Sequence, residues 1–463
     1  MARNPQYRVQ ADVQAWTPAT STNKSIYYHQ ELMGDLKTIQ TSKTTSQPYG
    51  TFALTFTMRE DQGGSWADKL PFRTYVEIRA GITGTPAILM RGFVDAPGQQ
   101  MQMPGYPAGA QREVTVSGRD MGAILYDWQV LYLWGIDPMA LYLKANMSGG
   151  NALAHQLGVS TGEQSPTVLI TDFVRKLINP AITGIRRSIP TVPYWNPVIH
   201  IPDAYRVNFL SLQPWQGSYS NFLDYFASPP WGEDFVYDAQ DAPWLILRQT
   251  PYKEYGSGQY PLPFGGTPEE NGFFVDVPLA AGDITAHNIT INGANQLYTY
   301  YSTTPDLASA LAQSYAQFFY VTQQGVTQQS RTQTEQRGGN PFFAKEQAQL
   351  WGIRPLQLTT PWVSTLQQVF GTTTSAQQLV AKLNEWLVAV FGNNNLFSSG
   401  TITCHGNPDY TIGRYIVVEP GAVTSDPHPM EFYCQQVTHQ IDIYSPGATW
   451  TTDLGVIRGR VRS

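Results

Sequence analysis

Apolar and polar residues alternate along several short segments near the start of the chain. Residues 51–58 alternate Phe, Leu or Met with Thr and Ala, and this period of two is typical of a half-buried β-strand. The same alternation recurs at residues 74–80 and 112–117. The pattern predicts a first antiparallel, barrel-like β domain over residues 1–118.

The pattern changes to helical spacing after the first β domain. Residues 124–134 are apolar almost all round, and Thr171 can cap a short helix that Pro180 ends. Prolines and aromatic residues are frequent in the segment that follows, which indicates long, packed loops. We therefore predict a mixed α+β middle domain over residues 119–283.

Strand character returns late in the chain and is interrupted by a glutamine-rich segment. Ten glutamines fall between residues 313 and 349, and residues 375–391 carry an apolar stripe at helical spacing. These features predict a helical and Gln-rich insertion over residues 304–391. The insertion divides a second β domain, which is formed by residues 284–303 and 392–463.

The two β domains have parallel layouts. A Gly-Thr pair opens a strand at Gly50 and again at Gly400, and a strand that begins with tyrosine follows at Tyr75 and at Tyr415. A long strand comes next in each series, and a last strand ends in Gly-Arg. Either the chain holds two similar barrels separated by a large insertion, or two β regions share this rhythm by chance.

The composition favours a β-rich protein that is buried in an assembly. Only 14% of the residues are charged, well below the roughly 25% of ordinary soluble chains. Twelve Trp, 26 Tyr and 20 Phe supply side chains that concentrate in strands and at protein interfaces.

The net charge and the N-terminal residues indicate which partners the protein can attract and in which compartment it is made. The formal charge of −6 excludes a protein-wide field that would attract nucleic acid or an anionic membrane. No apolar segment of signal-peptide length begins the chain, and Asp137 and Pro138 interrupt its most apolar stretch. We expect a soluble chain made in the cytoplasm. Two cysteines are too few for a disulfide scaffold, and we expect Cys404 and Cys434 to stay free.

Four residues near the C-terminus form a ligand set that zinc accepts: Cys404, His405, Cys434 and His439. Cys404 and His405 are adjacent, however, and adjacent residues of a strand point to opposite faces. His439 is in phase with the apolar Val437, which favours a histidine with satisfied hydrogen bonds in a core or interface. We therefore assign no metal ligand. No zinc-protease, Walker or nucleophile-elbow motif is present in the sequence.

Four acidic residues of the middle domain suggest a glycosidase pair, either Asp234 with Asp238 or Asp241 with Glu233. Sequence spacing does not fix the distance between two carboxylates in space, which the chemistry requires. The aromatic content suits either sugar stacking or an ordinary core. The sequence therefore assigns no catalytic or cofactor-binding residue, and we expect no enzyme.

The C-terminal residues Arg458, Arg460 and Arg462 occupy alternate positions. An extended tail would present their three guanidinium groups to one side, where they could meet a partner's acidic patch or a phosphate. The alternative is a solvated basic terminus.

Six segments together resemble one protein family, and the order in which they occur carries the resemblance. They are QPYGTFALTFTM (47–58), VTVSGRDMGAIL (114–125), FVYDAQDAPWLILRQTP (235–251), GNPDYTIGRYIVV (406–418), FYCQQVTHQIDI (432–443) and GATWTTDLGVIRG (447–459). This order is similar to that of phage baseplate hub proteins, the late control protein D family, which form the central hub of contractile tails and related injection machines.

The resemblance implies a homotrimeric structural hub without catalysis. Each subunit would carry two tube-like β-barrels, so that six barrels form a pseudo-sixfold ring joining a hexameric tail tube to a threefold spike. Implied partners are the tail spike protein and the tail tube or tube-initiator protein, with the tape-measure protein and a baseplate wedge or sheath initiator as further candidates. The implied location is the tail baseplate of the virion, assembled in the host cytoplasm.

The polar strand faces at residues 51–57 and 436–440 would line the central channel of such a ring. A lining with few cations lets DNA pass with only transient, non-specific contact. Two alternatives stay open: a tail-associated carbohydrate-binding or glycan-hydrolysing β-rich protein, and a baseplate wedge protein without threefold self-association.

Overall fold

The computed structural model describes most of the two β domains and parts of the regions between them. The described residues are 9–57, 65–82, 84–101, 112–130, 167–169, 182–200, 206–208, 217–227, 229–263, 265–292, 297–305, 344–360, 376–423, 425–443 and 448–462. The helix predicted between Thr171 and Pro180, and the glutamines from 313 to 336, lie outside these ranges.

Thirteen strands form one large sheet, in the order β16-β19-β22-β21-β3-β4-β7-β6-β5-β1-β2, with β20 and β15 attached beside β21. Seven of them come from the first part of the chain: β1 (Gln10–Trp16), β2 (Tyr27–Tyr28), β3 (Leu36–Thr44), β4 (Thr51–Thr57), β5 (Tyr75–Gly81), β6 (Ala87–Met101) and β7 (Arg112–Asp120). Six come from later in the chain: β15 (Val277–Leu279), β16 (Ile284–Ile291), β19 (Ser398–His405), β20 (Tyr415–Val418), β21 (Met430–Asp442) and β22 (Thr449–Val461).

The middle region contributes smaller sheets. Its strands are β8 (Gln129–Val130), β9 (Thr167–Leu169), β10 (Asn196–His200), β11 (Arg206–Asn208), β12 (Gly217–Ser218), β13 (Gly232–Asp238), β14 (Pro243–Gln249), β17 (Tyr300–Pro305) and β18 (Pro355–Thr360). The antiparallel hairpin β13–β14 is the longest of these pairings, and β10 adds to it in parallel. Strands β17 and β18 pair in parallel across the insertion.

Most helices in the described residues are short, and α6 is the longest of them. The helices are α1 (Gln30–Asp35), α2 (Trp66–Lys69), α3 (Ala123–Asp127), α4 (Tyr219–Ala227), α5 (Lys345–Trp351) and α6 (Ala376–Phe391), with 3-10 turns at Ala281–Asp283 and Asn394–Leu396. Residues 182–186 form a further helical stretch. Within the described ranges, none has the length and apolar character needed to cross a bilayer. The predicted helix over residues 375–391 is confirmed by α6.

The helical interpretation of residues 124–134 is wrong at residues 128–130, and residues 131–134 lie outside the described ranges. Helix α3 ends at Asp127 because Trp128 takes an extended conformation, with φ −79° and ψ 124°. Residues 129–130 then pair with β12 as a strand.

The mainly β fold class is confirmed, and the described strands show one continuous sheet, with no closed barrel among them. Strand β3 of the first β domain pairs with β21 of the second, which joins the two domains edge to edge. The boundaries at residues 118, 283, 303 and 391 stay a prediction.

Each β domain nevertheless surrounds a core of its own. One core is formed by the inward residues of the first domain, among them Val13, Phe52, Leu54, Phe56, Ile78, Val114 and Val116. The second is formed by inward residues of the later strands, among them Ile402, Ile416, Phe432, Val437 and Leu454. A third core lies in the middle region, where Trp231 meets Trp386 of α6 edge to face at 5.0 Å.

Candidate functional surface

The two β domains contain the same arrangement of five strands. Strands β3-β4-β7-β6-β5 are neighbours in that order, and so are β16-β19-β22-β21-β20. We call the first set unit A and the second set unit B. The repeated layout seen in the sequence is thus confirmed as a repeat of strand topology, which chance rhythm does not explain.

Irregularities in the strands match as well. In unit A the pairing register of β3 shifts between Leu36 and Thr38, and in unit B that of β16 shifts between Ile284 and Ala286. The long strands β6 and β21 each carry one extra residue, between Val94 and Ala96 and between Cys434 and Gln436. A β-bulge sets where a strand bends and which side chains face the core. Units A and B therefore correspond strand by strand in order and in the places of these shifts.

A polar face extends across both units without a break at their junction. The inward residues of each strand are buried, and the alternate residues are exposed or partly exposed. From unit B to unit A these residues are Thr401, Thr403 and His405; Thr449, Thr451 and Asp453; Gln436, Thr438 and Gln440; Thr38, Gln40 and Ser42; Thr51, Ala53 and Thr55; and Thr115 and Ser117. Hydroxyl and amide groups dominate the surface.

The segments predicted to line a channel lie two strands apart on this face. Gln440 of β21 stands opposite Gln40 of β3, and Gln40 stands opposite Ala53 of β4. The hydroxyls of Ser42 and Thr438 lie 3.0 Å apart across the junction of the two units. The junction is thus part of the polar face.

Cations on this face are neutralised by neighbouring carboxylates. Lys37 donates to Glu113, and the Arg119 guanidinium donates to Asp95 and Asp127. These hydrogen bonds raise the pKa of Arg119 further above its usual value, against the opposing effect of partial burial. DNA affinity that does not depend on sequence comes from free Lys and Arg side chains on phosphates. The described part of this face offers little such attraction.

The four candidate zinc ligands do not converge. Cys404 and Cys434 are buried free thiols, whereas the neighbouring His405 is exposed on the polar face. His439 is buried, with Nδ1 2.9 Å from Thr452 Oγ1 and 3.3 Å from the Trp450 indole nitrogen, which donates to it. The expected core histidine is confirmed.

Two of the four candidate glycosidase carboxylates form buried ion pairs. Arg248 Nε donates to Glu233 at 2.8 Å, and the Tyr433 hydroxyl donates to the other oxygen of the same carboxylate. Lys43 Nζ donates to Asp238 at 2.6 Å. These contacts join the β13–β14 hairpin to unit B and to unit A, so Glu233 and Asp238 connect domains.

The other two carboxylates differ in environment. Asp241 is exposed at the tip of the hairpin. Burial, followed by the nearby carboxylate of Asp224, raises the pKa of Asp234 well above its usual value. The two carboxyl groups share a hydrogen bond, which also raises the pKa of Asp234.

The expectation of three outward arginines at the C-terminus is wrong for two of them. Arg458 and Arg460 are 3% and 4% exposed. Arg458 Nη2 donates to the Val390 carbonyl at 2.6 Å, and Arg460 forms an ion pair with Glu431. Both side chains are covered by other parts of the chain, since Arg458 also donates to the Lys253 carbonyl and Arg460 donates to the Tyr255 carbonyl. The side chain of Arg462 is 46% exposed.

One cluster of charges escaped the sequence interpretation. Lys43 lies 3.2 Å from Asp120, and Arg91 Nη1 donates to the Ala239 carbonyl at 2.6 Å. Together with the Lys43–Asp238 pair, these contacts fix the β13–β14 hairpin to unit A. The sequence does contain one indication of this cluster: Lys43 occupies an inward position of β3, in phase with the buried Ile39.

No protein-family model and no curated protein matches the chain. Several solved structures resemble it. One is the 43 kDa tail protein of prophage MuSo2 from Shewanella oneidensis, at 11% identity and a TM-score of 0.49, covering 97% of this chain and 98% of that one. Another is a tail protein from Neisseria meningitidis MC58, at 11% identity and a TM-score of 0.43, covering 98% and 97%.

A third similar structure is the E. coli c3393 protein, described as a component of the type VI secretion system with similarity to T4 tail proteins gp27 and gp5. It is 7% identical, with a TM-score of 0.39, and the match covers 93% of this chain and 74% of that one. These three structures are described as those of tail proteins and a secretion-system component, and the sequence motifs resemble the same class of protein.

Proposed function

We propose that this chain is the structural hub of a contractile tail baseplate or a related injection machine. In this proposal three copies form a ring that joins the hexameric tail tube to the threefold spike and encloses a channel for DNA. The observation that carries the proposal is the neutral polar face, which crosses from unit B to unit A at the β21–β3 junction.

The repeat gives the symmetry that such an adaptor needs. A chain with two similar units, used three times around an axis, presents six similar surfaces on one side and three identical chains on the other. Units A and B share strand order and the positions of two bulges. They differ in what is attached, since β1 pairs with β5 in antiparallel fashion and β15 pairs with β20 in parallel.

The face suits passage of DNA. A phosphate backbone is held by cations, and each phosphate neutralised adds to the salt-dependent affinity. Hydroxyl and amide side chains hydrate well and carry no net charge, so DNA in contact with them slides. Asp453, whose carboxylate accepts from Thr403 Oγ1 at 2.6 Å, adds a mild repulsion.

The proposed partners and location follow the same role. They are the spike, the tube or tube initiator and, around the ring, the tape-measure protein and a wedge or sheath initiator. The particle is the tail baseplate of a virion, assembled in the host cytoplasm. The proposal includes no catalysis, and the ion pairs of Glu233 and Asp238 support a connecting role for these residues.

The experiment is to measure the mass of the purified chain by light scattering behind a sizing column and to image the same peak. We expect a mass near three times 51.5 kDa and ring-shaped particles with a central channel. A monomer that stays monomeric with purified spike, or a monomer that releases sugars from peptidoglycan, would overturn the hub in favour of a wedge or a glycan-active protein.

A further inference from the structure

A small cavity lies at the β21–β3 junction, on the side of the sheet opposite the polar face. Two cross-strand pairs form its floor, with Val437 opposite Lys43 and His439 opposite Thr41. Strand β6, strand β13 and the loop between β19 and β20 supply its walls. The cavity therefore lies where unit A, unit B and the hairpin of the middle region meet.

The cavity is large enough for water. Its volume is about 30 Å³, and since one water molecule needs about 10 to 15 Å³ of such space, about two can be held. Three residues of the lining, Leu89, Tyr237 and Pro408, are only partly buried. Water can therefore reach the cavity from outside.

Two buried oxygens of the lining have no hydrogen-bond partner within the described structure. They are Asp238 Oδ1 and Thr411 Oγ1. The side chain of Asp238 is 2% exposed, and only its other oxygen accepts from Lys43 Nζ, at 2.6 Å. Arg91 Nη1 lies 3.9 Å from Oδ1, which is beyond hydrogen-bond distance. A buried acceptor without a donor costs free energy, and in native proteins such groups generally bond to protein or to ordered water.

The charges around the cavity favour a neutral ligand. Lys43 and Arg91 supply two cations, and Asp120 and Asp238 supply two carboxylates. His439 is uncharged at neutral pH because burial lowers its pKa to about 4. A further ion would be buried without a partner of opposite charge, which is costly. Water adds no charge, and it can donate to a carboxylate and bond to a hydroxyl.

We propose that the cavity is a binding site for water, which donates a hydrogen bond to Asp238 Oδ1 and forms another with Thr411 Oγ1. Asp238 Oδ2 and the Ala239 carbonyl are already bonded to unit A, through Lys43 and Arg91. The water links the same end of β13 to the loop of unit B. A second water in the cavity gives the first a third partner, which is the usual number for buried water. The inference stands without the proposed function, because it concerns contacts within one chain.

The direct test is a density map of the full chain at a resolution that shows ordered water. We expect a peak within about 3.2 Å of both Asp238 Oδ1 and Thr411 Oγ1. A well-ordered map in which the space is empty, or in which a protein donor reaches Oδ1, would overturn the proposal. A peak about 2.0 to 2.6 Å from the carboxylate, with further oxygen ligands around it, would be a metal cation and would overturn it too.

A near-isosteric variant provides a test in solution. Thr411→Val replaces the hydroxyl by a methyl group of similar size. Removing a hydroxyl that has no partner is neutral or stabilising, whereas removing one that bonds to water loses that bond. We therefore expect the midpoint of urea unfolding to fall below that of wild type. An unchanged or higher midpoint would contradict the site.

The matched control for this variant is Thr250→Val. The Thr250 hydroxyl donates to the Pro230 carbonyl at 2.8 Å, so its midpoint shows the loss that follows when a hydroxyl with a known partner is removed. We expect Thr411→Val to fall in the same direction.

A second variant fills the cavity. Val437→Ile adds one methylene group at the floor. In a dry cavity the addition buries more apolar surface and raises the midpoint. In a hydrated cavity it displaces the water and leaves Asp238 Oδ1 without a donor, so we expect the midpoint to fall. A rise would overturn the proposal.

The double variant, Thr411→Val with Val437→Ile, separates loss of the water from overpacking. Two changes that remove the same water should together lower the midpoint by less than the sum of the single losses, whereas independent changes add. An additive loss would therefore overturn the site. Light scattering of the same proteins reports on the hub separately, since the cavity lies within one chain and its hydration does not depend on the number of copies.

Discussion

Lys43 Nζ donates to Asp238 Oδ2 at 2.6 Å, which joins β3 of unit A to the β13–β14 hairpin of the middle region. Asp120 Oδ2 lies 3.2 Å from the same nitrogen. Burial opposes the charge on Lys43, but the two carboxylates outweigh it and raise the pKa of Lys43 above its usual value. The burial of Asp120 raises the pKa of that carboxyl to about 6. Lys43 thus pairs with two buried acids, and Arg91 Nη1 lies 3.9 Å from the other oxygen of Asp238.

Lys43→Met should destabilise the protein strongly. The change removes the cation and leaves two carboxylates without it, with both side chains only 2% exposed. Breaking a buried ion pair by removing one partner costs about 3 to 5 kcal/mol, and we expect urea unfolding to report a loss in this range. Lys37→Met is the matched control, because the Lys37–Glu113 pair is about 30% exposed and exposed pairs contribute no more than about 1 kcal/mol. Equal losses would contradict the role assigned to Lys43.

The sequence predicted the strands well because their pattern is local. Alternation at residues 51–58 gave β4, and the apolar stripe at residues 375–391 gave α6. The repeat was visible in the order of Gly-Thr, tyrosine and Gly-Arg signals. The pairing of β3 with β21 was not predictable, since it joins residues nearly 400 apart and no pattern within either strand names its partner.

The burial and the partners of the charged residues depend on contacts between domains, which the sequence pattern does not reveal. Arg458 and Arg460 have the spacing of an exposed tail, yet the chain around Lys253 and Tyr255 covers them and accepts their hydrogen bonds. Glu233 and Asp238 have the spacing of an arbitrary acidic pair, and only the fold brings Arg248 and Lys43 to them. Alternation predicts which side of a strand is polar. It does not predict what covers that side.

Adding lysines to the polar face should convert it from a neutral surface to one that holds DNA. The variant Gln40→Lys, Gln436→Lys and Gln440→Lys places three cations at exposed positions on β3 and β21. Each new phosphate contact steepens the salt dependence of binding. We expect duplex DNA binding at low salt that falls with added salt, measured by fluorescence anisotropy on the assembled protein.

The control for this prediction carries the same charge elsewhere. Asn221→Lys, Gln240→Lys and Gln259→Lys also change three exposed residues, none of which lies on the polar face. If this variant gains as much DNA affinity as the first, net charge alone accounts for the effect and the face has no special position around the DNA.

Cys404 and Cys434 should be inert in the folded protein. Burial is the main cause that raises the pKa of Cys404 to about 12, and burial also raises the pKa of Cys434. Because the thiolate is the reactive form, both should resist alkylation at pH 8. We expect a thiol reagent to label neither residue in buffer and both in urea under non-reducing conditions. Labelling of only one in urea, or of none, would show that these cysteines are not both free thiols.

His439 should make the protein less stable as the pH falls. Burial lowers the pKa of this histidine to about 4, whereas an unfolded histidine titrates near 6.5. Between these values the unfolded chain binds a proton that the folded chain does not, so the contribution is complete above about pH 6.5 and is lost as the pH approaches 4. The difference corresponds to roughly 3 kcal/mol. Wild type should therefore lose stability relative to His439→Gln when urea unfolding is repeated from pH 7 to pH 4. Other titrating groups, including Asp120 with its opposite dependence, cancel in this comparison. Parallel profiles would show that the fold does not lower the pKa of His439.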